Sequence, residues 1–199
     1  MRAILAVLLW LPFSAITASA QALPAGRSGT QDFSLGYSYV NHPIGQSKRS
    51  GLNGFDSQFT VRLFSGVSIR GDLGYTRSGD LFGTHTASSV LSYMGGPVFS
   101  LGEQRRAHPY VEALFGGARV RGPIPVPAGV LAGGWAGRFA WSFGGGFDYE
   151  LTEAIGVRGG VDYLRTTYYD STLALRGQSN VRVTASVVYL FWRSRRKRV

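Results

Sequence analysis

The sequence predicts an all-β protein, an eight-stranded antiparallel up-and-down transmembrane β-barrel, on three observations. Apolar and polar residues alternate with period two in eight successive segments, the pattern of strands with one apolar and one polar face. The 28 glycines disfavour helices, and beyond residue 20 no apolar run approaches the ~20 residues that a membrane helix needs. Large aromatic rings crowd one parity of most segments. They would overfill the interior of an eight-stranded barrel, which is only wide enough for side chains of ordinary size.

The chain opens with Arg2, an apolar stretch from Ala3 to Phe13 and the small residues Ala18-Ser19-Ala20. This is the layout of a secretory signal peptide, residues 1–20, cleaved after Ala20. A lead of residues 21–31 follows, then the barrel at 32–191 and a basic tail at 192–199.

The first strand is expected from Asp32 to Val40, with Phe33, Leu35, Tyr37 and Tyr39 on one face. The second, Asn53 to Leu63, sets Phe55, Phe59 and Val61 against Asp56, Gln58, Thr60 and Arg62. Only Phe64-Ser65-Gly66 separates it from the third, Val67 to Arg77, which places Arg70 and Asp72 on the polar face. The fourth, Thr86 to Phe99, is less regular, and its Pro97 belongs near a strand end because proline has no amide hydrogen to donate. The fifth, His108 to Val120, has a weak contrast between Val111, Ala113, Phe115 and Glu112, Leu114, Gly116.

In the sixth strand Phe139, Trp141, Phe143, Phe147 and Tyr149 alternate with small residues and Asp148. The seventh, Ile155 to Thr166, carries Arg158 and Asp162 on its polar face, and the eighth, Asn180 to Phe191, carries Arg182. Links after the odd-numbered strands are longer on average than those after the even-numbered ones, the asymmetry of outer-membrane barrels with external loops and brief periplasmic turns.

The net charge of +10 is not the footprint of a nucleic-acid binder, because five of the 21 basic residues crowd into Arg193 to Arg198 and another, Arg2, lies in the leader. An even strand number puts that tail in the periplasm, where it can meet anionic headgroups. Absent cysteine suits an oxidising compartment.

The outward parity is therefore the aromatic one, facing outer-membrane lipid, and the charged parity faces the lumen. Asp56, Arg62, Arg70, Asp72, Glu112, Asp148, Arg158, Asp162 and Arg182 are expected there as a network of paired charges, since isolated ions in a narrow interior are heavily penalised. Eight strands leave little bore, so a polar plug is expected rather than an ion path.

The stretches PYVEALFGGARV at 109–120, FAWSFGGGFDYELTEAIGVRGGVDYLRTTYY at 139–169 and VRVTASVVYLF at 181–191 resemble the OmpA-like eight-stranded outer-membrane β-barrel family, in its small single-domain form without a peptidoglycan-binding domain. The resemblance covers nearly all of the mature chain. It implies residence in the bacterial outer membrane and assembly by the barrel-assembly machinery, with Tyr189 and Phe191 in the role of the C-terminal assembly signal. The family often ends on the aromatic, whereas WRSRRKRV follows here.

Catalytic, cofactor and metal sites are not expected. His42, His85 and His108 are the three histidines. His85 beside Ser88 and Ser89 is the one arrangement that suggests a lipid-modifying enzyme, and a triad needs base and orienter within hydrogen-bond reach. No cysteine and no close histidine pair offers metal ligands. Gly133-Gly134 and Gly144-Gly145-Gly146 lack the lysine and helix of a phosphate loop, and fit tight curvature or space for an aromatic neighbour instead. The segment Gly122 to Gly129 reads as a proline-stiffened external loop. A monomer is expected, structural or surface-interacting in role, with its loops as the place for ligand contact. A narrow porin-like channel is the alternative.

Overall fold

The computed structural model describes residues 31–44, 48–79, 87–101, 107–125, 131–169 and 175–192. The leader, the lead up to residue 30, His85 and the tail from residue 193 lie outside them. Eight strands, β1 (Gln31–Ile44), β2 (Lys48–Phe64), β3 (Val67–Ser78), β4 (Ser88–Ser100), β5 (Ala107–Pro125), β6 (Leu131–Glu150), β7 (Ile155–Tyr169) and β8 (Leu175–Trp192), run in chain order. Each pairs antiparallel with the next and β8 returns to β1, so the barrel is closed. Closure leaves no edge whose amides would be orphaned in hydrocarbon. Among the described residues no helix is long and apolar enough to cross a membrane.

The register climbs around the barrel. Phe33, near the start of β1, shares a pairing row with Phe59, Gly71, Gly95, Phe115, Trp141 and finally Arg165, far along β7. Such a stagger requires strands tilted by about 40° to the axis.

At one end the links are tight. Ser65-Gly66 joins β2 to β3, and Gly66 takes φ +75°, a left-handed conformation that glycine adopts without a Cβ penalty. Thr152 closes the β6 to β7 turn, its Oγ1 accepting from the amides of Ala154 at 3.3 Å and Ile155 at 3.0 Å. The other end carries hairpins whose strands run beyond the expected boundaries. β5 and β6 pair as far as Pro125 with Leu131, so Gly122 to Pro125 belongs to a strand and not to a loop. A tilted strand needs only about 9–11 residues to cross hydrocarbon. β6, 20 residues long, is about twice that length, and the residues from Leu131 toward Ala136 lack the aromatic alternation that marks the rest of the strand in sequence.

Pro97 sits three residues inside the end of β4. It keeps its place opposite Ile69 of β3, while the β4 to β5 register passes from Gly95 with Phe115 directly to Val98 with Glu112. A residue without an amide hydrogen interrupts one ladder and leaves the other intact.

Candidate functional site

The inward parity builds three clusters along the bore. Arg182 of β8 donates from Nε to Asp162 Oδ2 at 3.0 Å and from Nη1 to Asp72 Oδ1 at 2.9 Å and Asp56 Oδ2 at 3.4 Å. Asp162 is its register partner on β7, whereas Asp56 and Asp72 come from β2 and β3. The guanidinium therefore ties strands that are not neighbours, with every partner buried. One charge removed from such a cluster leaves the others uncompensated.

Arg158 of β7 grips Asp148, its register partner on β6, with Nε to Oδ1 at 2.6 Å and Nη2 to Oδ2 at 2.9 Å. That fork is the bidentate geometry for which arginine is suited. Its Nη2 also reaches Asp32 at 3.2 Å. Arg70 of β3 donates to Glu112 at 2.5 Å and to Thr60 Oγ1 at 3.2 Å. Gln58 joins two clusters: its Oε1 accepts from Arg158 at 3.2 Å and its Nε2 donates to Asp72 at 3.2 Å.

Eight of the nine charged residues expected in the lumen thus fall into these clusters. Arg62, half-buried, lines a cavity of about 90 Å³ at the tight-turn end, beside His108 and Glu150. The cavity is large enough for water. Arg70 and Arg158 line it, and the Arg182 cluster lies beyond its wall.

Sequence reasoning placed Gln58 on the polar face without giving it a part in the network, and missed Asp32 and Tyr110. Asp32 shares parity with Ser34 and Ser38 and was recoverable from alternation; with it, three arginines in the clusters meet six carboxylates. Tyr110 departs from the rule that rings point outward, being only 4% exposed. The guanidinium carbons of Arg70 and Arg158 lie over its ring, at 4.6 Å and 5.8 Å from the centroid, as two cation–π contacts.

Space for that ring comes from glycines on β6 and β7. A Cβ at Gly160 would stand 2.9 Å from both the Tyr110 hydroxyl and Thr184 Oγ1. Gly160→Val is expected to cost about 1–3 kcal/mol by overpacking, and Tyr110→Phe to recover part of it. Urea unfolding of the four members of that double-mutant cycle measures the coupling, and strict additivity would refute the contact.

The lumen is not polar throughout. Toward the hairpin end Val40, Leu52, Val90, Met94, Leu114, Ala118, Ala140 and Leu164 pack into an apolar layer. An apolar layer thus follows the ionic clusters along the bore.

The outer face reverses this chemistry. Leu35, Tyr37, Phe55, Ile69, Phe115, Phe139, Phe143, Val161, Val187 and Tyr189 are all exposed. Tyr189 and Phe191 stand outward near the end of β8, their ring centroids 5.2 Å apart. Tyr37 bonds Asn53 and Tyr163 bonds Ser179 on that face.

A closed eight-stranded up-and-down barrel with a charged interior and an apolar exterior is the fold of small outer-membrane barrels. Solved structures share it. Neisserial surface protein A aligns at 11% identity with a TM-score of 0.63, covering 83% of this chain and 100% of that one. Ail, the attachment invasion locus protein of Yersinia pestis, solved in complex with the heparin analogue sucrose octasulfate, aligns at 15% identity and a TM-score of 0.58, covering 83% and 100%. The outer membrane protein OprG from Pseudomonas aeruginosa aligns at 13% and 0.58, covering 83% and 97%. No protein-family model and no curated protein matches the chain.

Proposed function

We propose that the chain is exported to the bacterial outer membrane and serves there as a structural or surface-interacting barrel with a plugged lumen. The observation that carries this reading is the pair of barriers in series. The Arg182 cluster spans the bore, and the apolar layer from Val40 to Leu164 lies beyond it. A bore filled this way leaves the outer surface and the external hairpins as the parts that meet other molecules. The complex of Ail with a heparin analogue is a precedent for ligand contact on this fold.

Cleavage after Ala20, a periplasmic basic tail and recognition of Tyr189 and Phe191 by the barrel-assembly machinery complete the proposal. The lumenal charges hold the barrel in one arrangement and do no chemistry.

Planar-bilayer recording of the refolded barrel tests the plug. No steady conductance is expected above the lipid baseline. Reproducible unitary currents that vanish on heat denaturation would overturn the plug and establish the narrow-channel alternative. Envelope fractionation and electrophoresis with and without boiling test location separately, by a heat-shifted band in the outer-membrane fraction.

A further inference from the structure

The Arg182 cluster holds more carboxyl groups than its guanidinium can serve. Asp56, Asp72 and Asp162 surround that one cation, and their side chains are 0%, 0% and 2% exposed. Arg158 also meets two carboxylates, but the side chains of Asp32 and Asp148 are 14% and 24% exposed and line the cavity at the tight-turn end. Water can reach those two.

The three carboxyl groups around Arg182 are not served alike. Asp72 accepts from Arg182 on Oδ1 at 2.9 Å and from Gln58 on Oδ2 at 3.2 Å, so both of its oxygens have donors. Asp162 Oδ2 meets two nitrogens of Arg182, Nε at 3.0 Å and Nη2 at 2.9 Å. Asp56 has the least. Its one contact runs from Nη1 to Oδ2 at 3.4 Å, on a nitrogen that already donates to Asp72, and its Oδ1 is buried without a donor among the described residues.

The strands beside Asp56 explain the shortage. Across both ladders it faces glycine, Gly36 on β1 and Gly74 on β3, and neither has a side chain that could donate. Ser92 of β4, opposite Gly74, gives its hydroxyl to the Gly74 carbonyl at 3.4 Å. Gly144 of β6 faces Asp162 and is equally bare. Arg70 is engaged by Glu112 of β5. A buried ionised carboxylate with one long bond is heavily penalised, and carboxyl groups crowded together cannot all ionise.

We infer that the cluster binds one proton, carried by Asp56, in the folded barrel at neutral pH. Asp56 is then a carboxylic acid beside two carboxylates, with a hydrogen to donate where the ionised form has only lone pairs. The site belongs to the folded barrel, and neither cellular location nor conductance bears on it.

Urea unfolding of the refolded barrel in vesicles of zwitterionic lipid, from about pH 5 to about pH 9, tests the proton by linkage. In the unfolded chain an aspartate is ionised throughout this window, so the folded barrel binds one proton more. Stability therefore falls as pH rises, about ten-fold in the folding equilibrium per pH unit, until the folded barrel releases the proton. Asp56→Asn keeps the shape of the acid and supplies a donor with no proton to lose. It is expected to remove that slope, to match the unmodified barrel near neutral pH and to exceed it at alkaline pH. Histidines titrate in both proteins, so His108 beside Glu150 cancels in the comparison.

Infrared spectra in an ester-free detergent give a readout that packing alone does not move. A carboxylic acid carbonyl band is expected from the unmodified barrel at neutral pH, lost reversibly at alkaline pH, absent from Asp56→Asn and kept in Asp32→Asn at the mouth. Equal pH slopes in the unmodified barrel and Asp56→Asn would overturn the inference. So would an Asp56→Asn barrel that is weaker by the same factor at every pH, because Asp56 would then be an ionised partner of Arg182. Should that variant not refold, the unmodified barrel decides alone: no acid band at neutral pH would mean that no proton is held.

Discussion

Replacing Arg182 with leucine is expected to destabilise the barrel by about 3–5 kcal/mol, the range for breaking a buried ion cluster by removing one partner. The substitution keeps much of the volume and deletes the guanidinium that meets Asp56, Asp72 and Asp162 together. Three carboxyl groups would then face one another in a space closed to bulk water without the guanidinium that offsets their desolvation, Asp72 keeping only its bond from Gln58. Urea unfolding in lipid vesicles, followed by tryptophan fluorescence, measures the loss. Because a deletion alone does not separate charge from packing, a second variant joins Arg182→Met to Asp56→Asn, Asp72→Asn and Asp162→Asn. Replacing the whole cluster by neutral groups removes the repulsion, so most of the stability should return. A loss below about 1 kcal/mol in Arg182→Leu would mean that water or another cation compensates the aspartates, and that the cluster does not hold the strands.

How far the sequence revealed this arrangement depended on the kind of information each feature needs. Strand number, the tight turn at Ser65-Gly66 and the outward parity are local, written in alternation and in single glycines. Eight of the lumenal charges followed from parity alone, yet their partners did not. Asp162 meets Arg182 through the register of adjacent strands, while Asp56 and Asp72 reach it across the bore. The bridge through Gln58 has the same origin, since no spacing along the chain predicts a contact from β2 to β7.

Tyr110 was illegible for a different reason. β5 has little contrast between its faces, and the space that admits the ring is made by Gly160 on a strand two positions away. The apolar layer also escaped, because Val40, Leu52 and Leu164 each look like interruptions of a polar parity until closure brings them together. Strand ends were underestimated where the hairpins run on past the alternating residues, as from Gly122 to Pro125.

The assignment of faces makes the second large prediction. Val161 is outward on β7 and 55% exposed, near the middle of the apolar band, two steps before Tyr163 and four before Arg165. In lipid vesicles Val161→Arg is expected to cost about 2–4 kcal/mol, the depth-dependent penalty for a cation at the bilayer midplane. Arg165 on the same strand supplies the internal comparison. Its replacement by valine should change stability by less than about 1 kcal/mol, because a guanidinium at the rim already reaches the interface. Both substitutions alter one outward side chain of one strand and leave the lumen untouched, so any difference between them reports depth in the bilayer. Thr184, on the facing strand β8, is buried in the lumen. Thr184→Val there should cost about as much as losing one hydroxyl in a packed polar interior, about 1–2 kcal/mol, whatever the lipid. Repeating the Val161→Arg measurement in bilayers of different thickness separates the two faces: the outward penalty should grow with thickness and the inward one should not. If Val161→Arg were as mild as Arg165→Val, the aromatic parity would not be meeting hydrocarbon, and the proposed membrane role would fall with it.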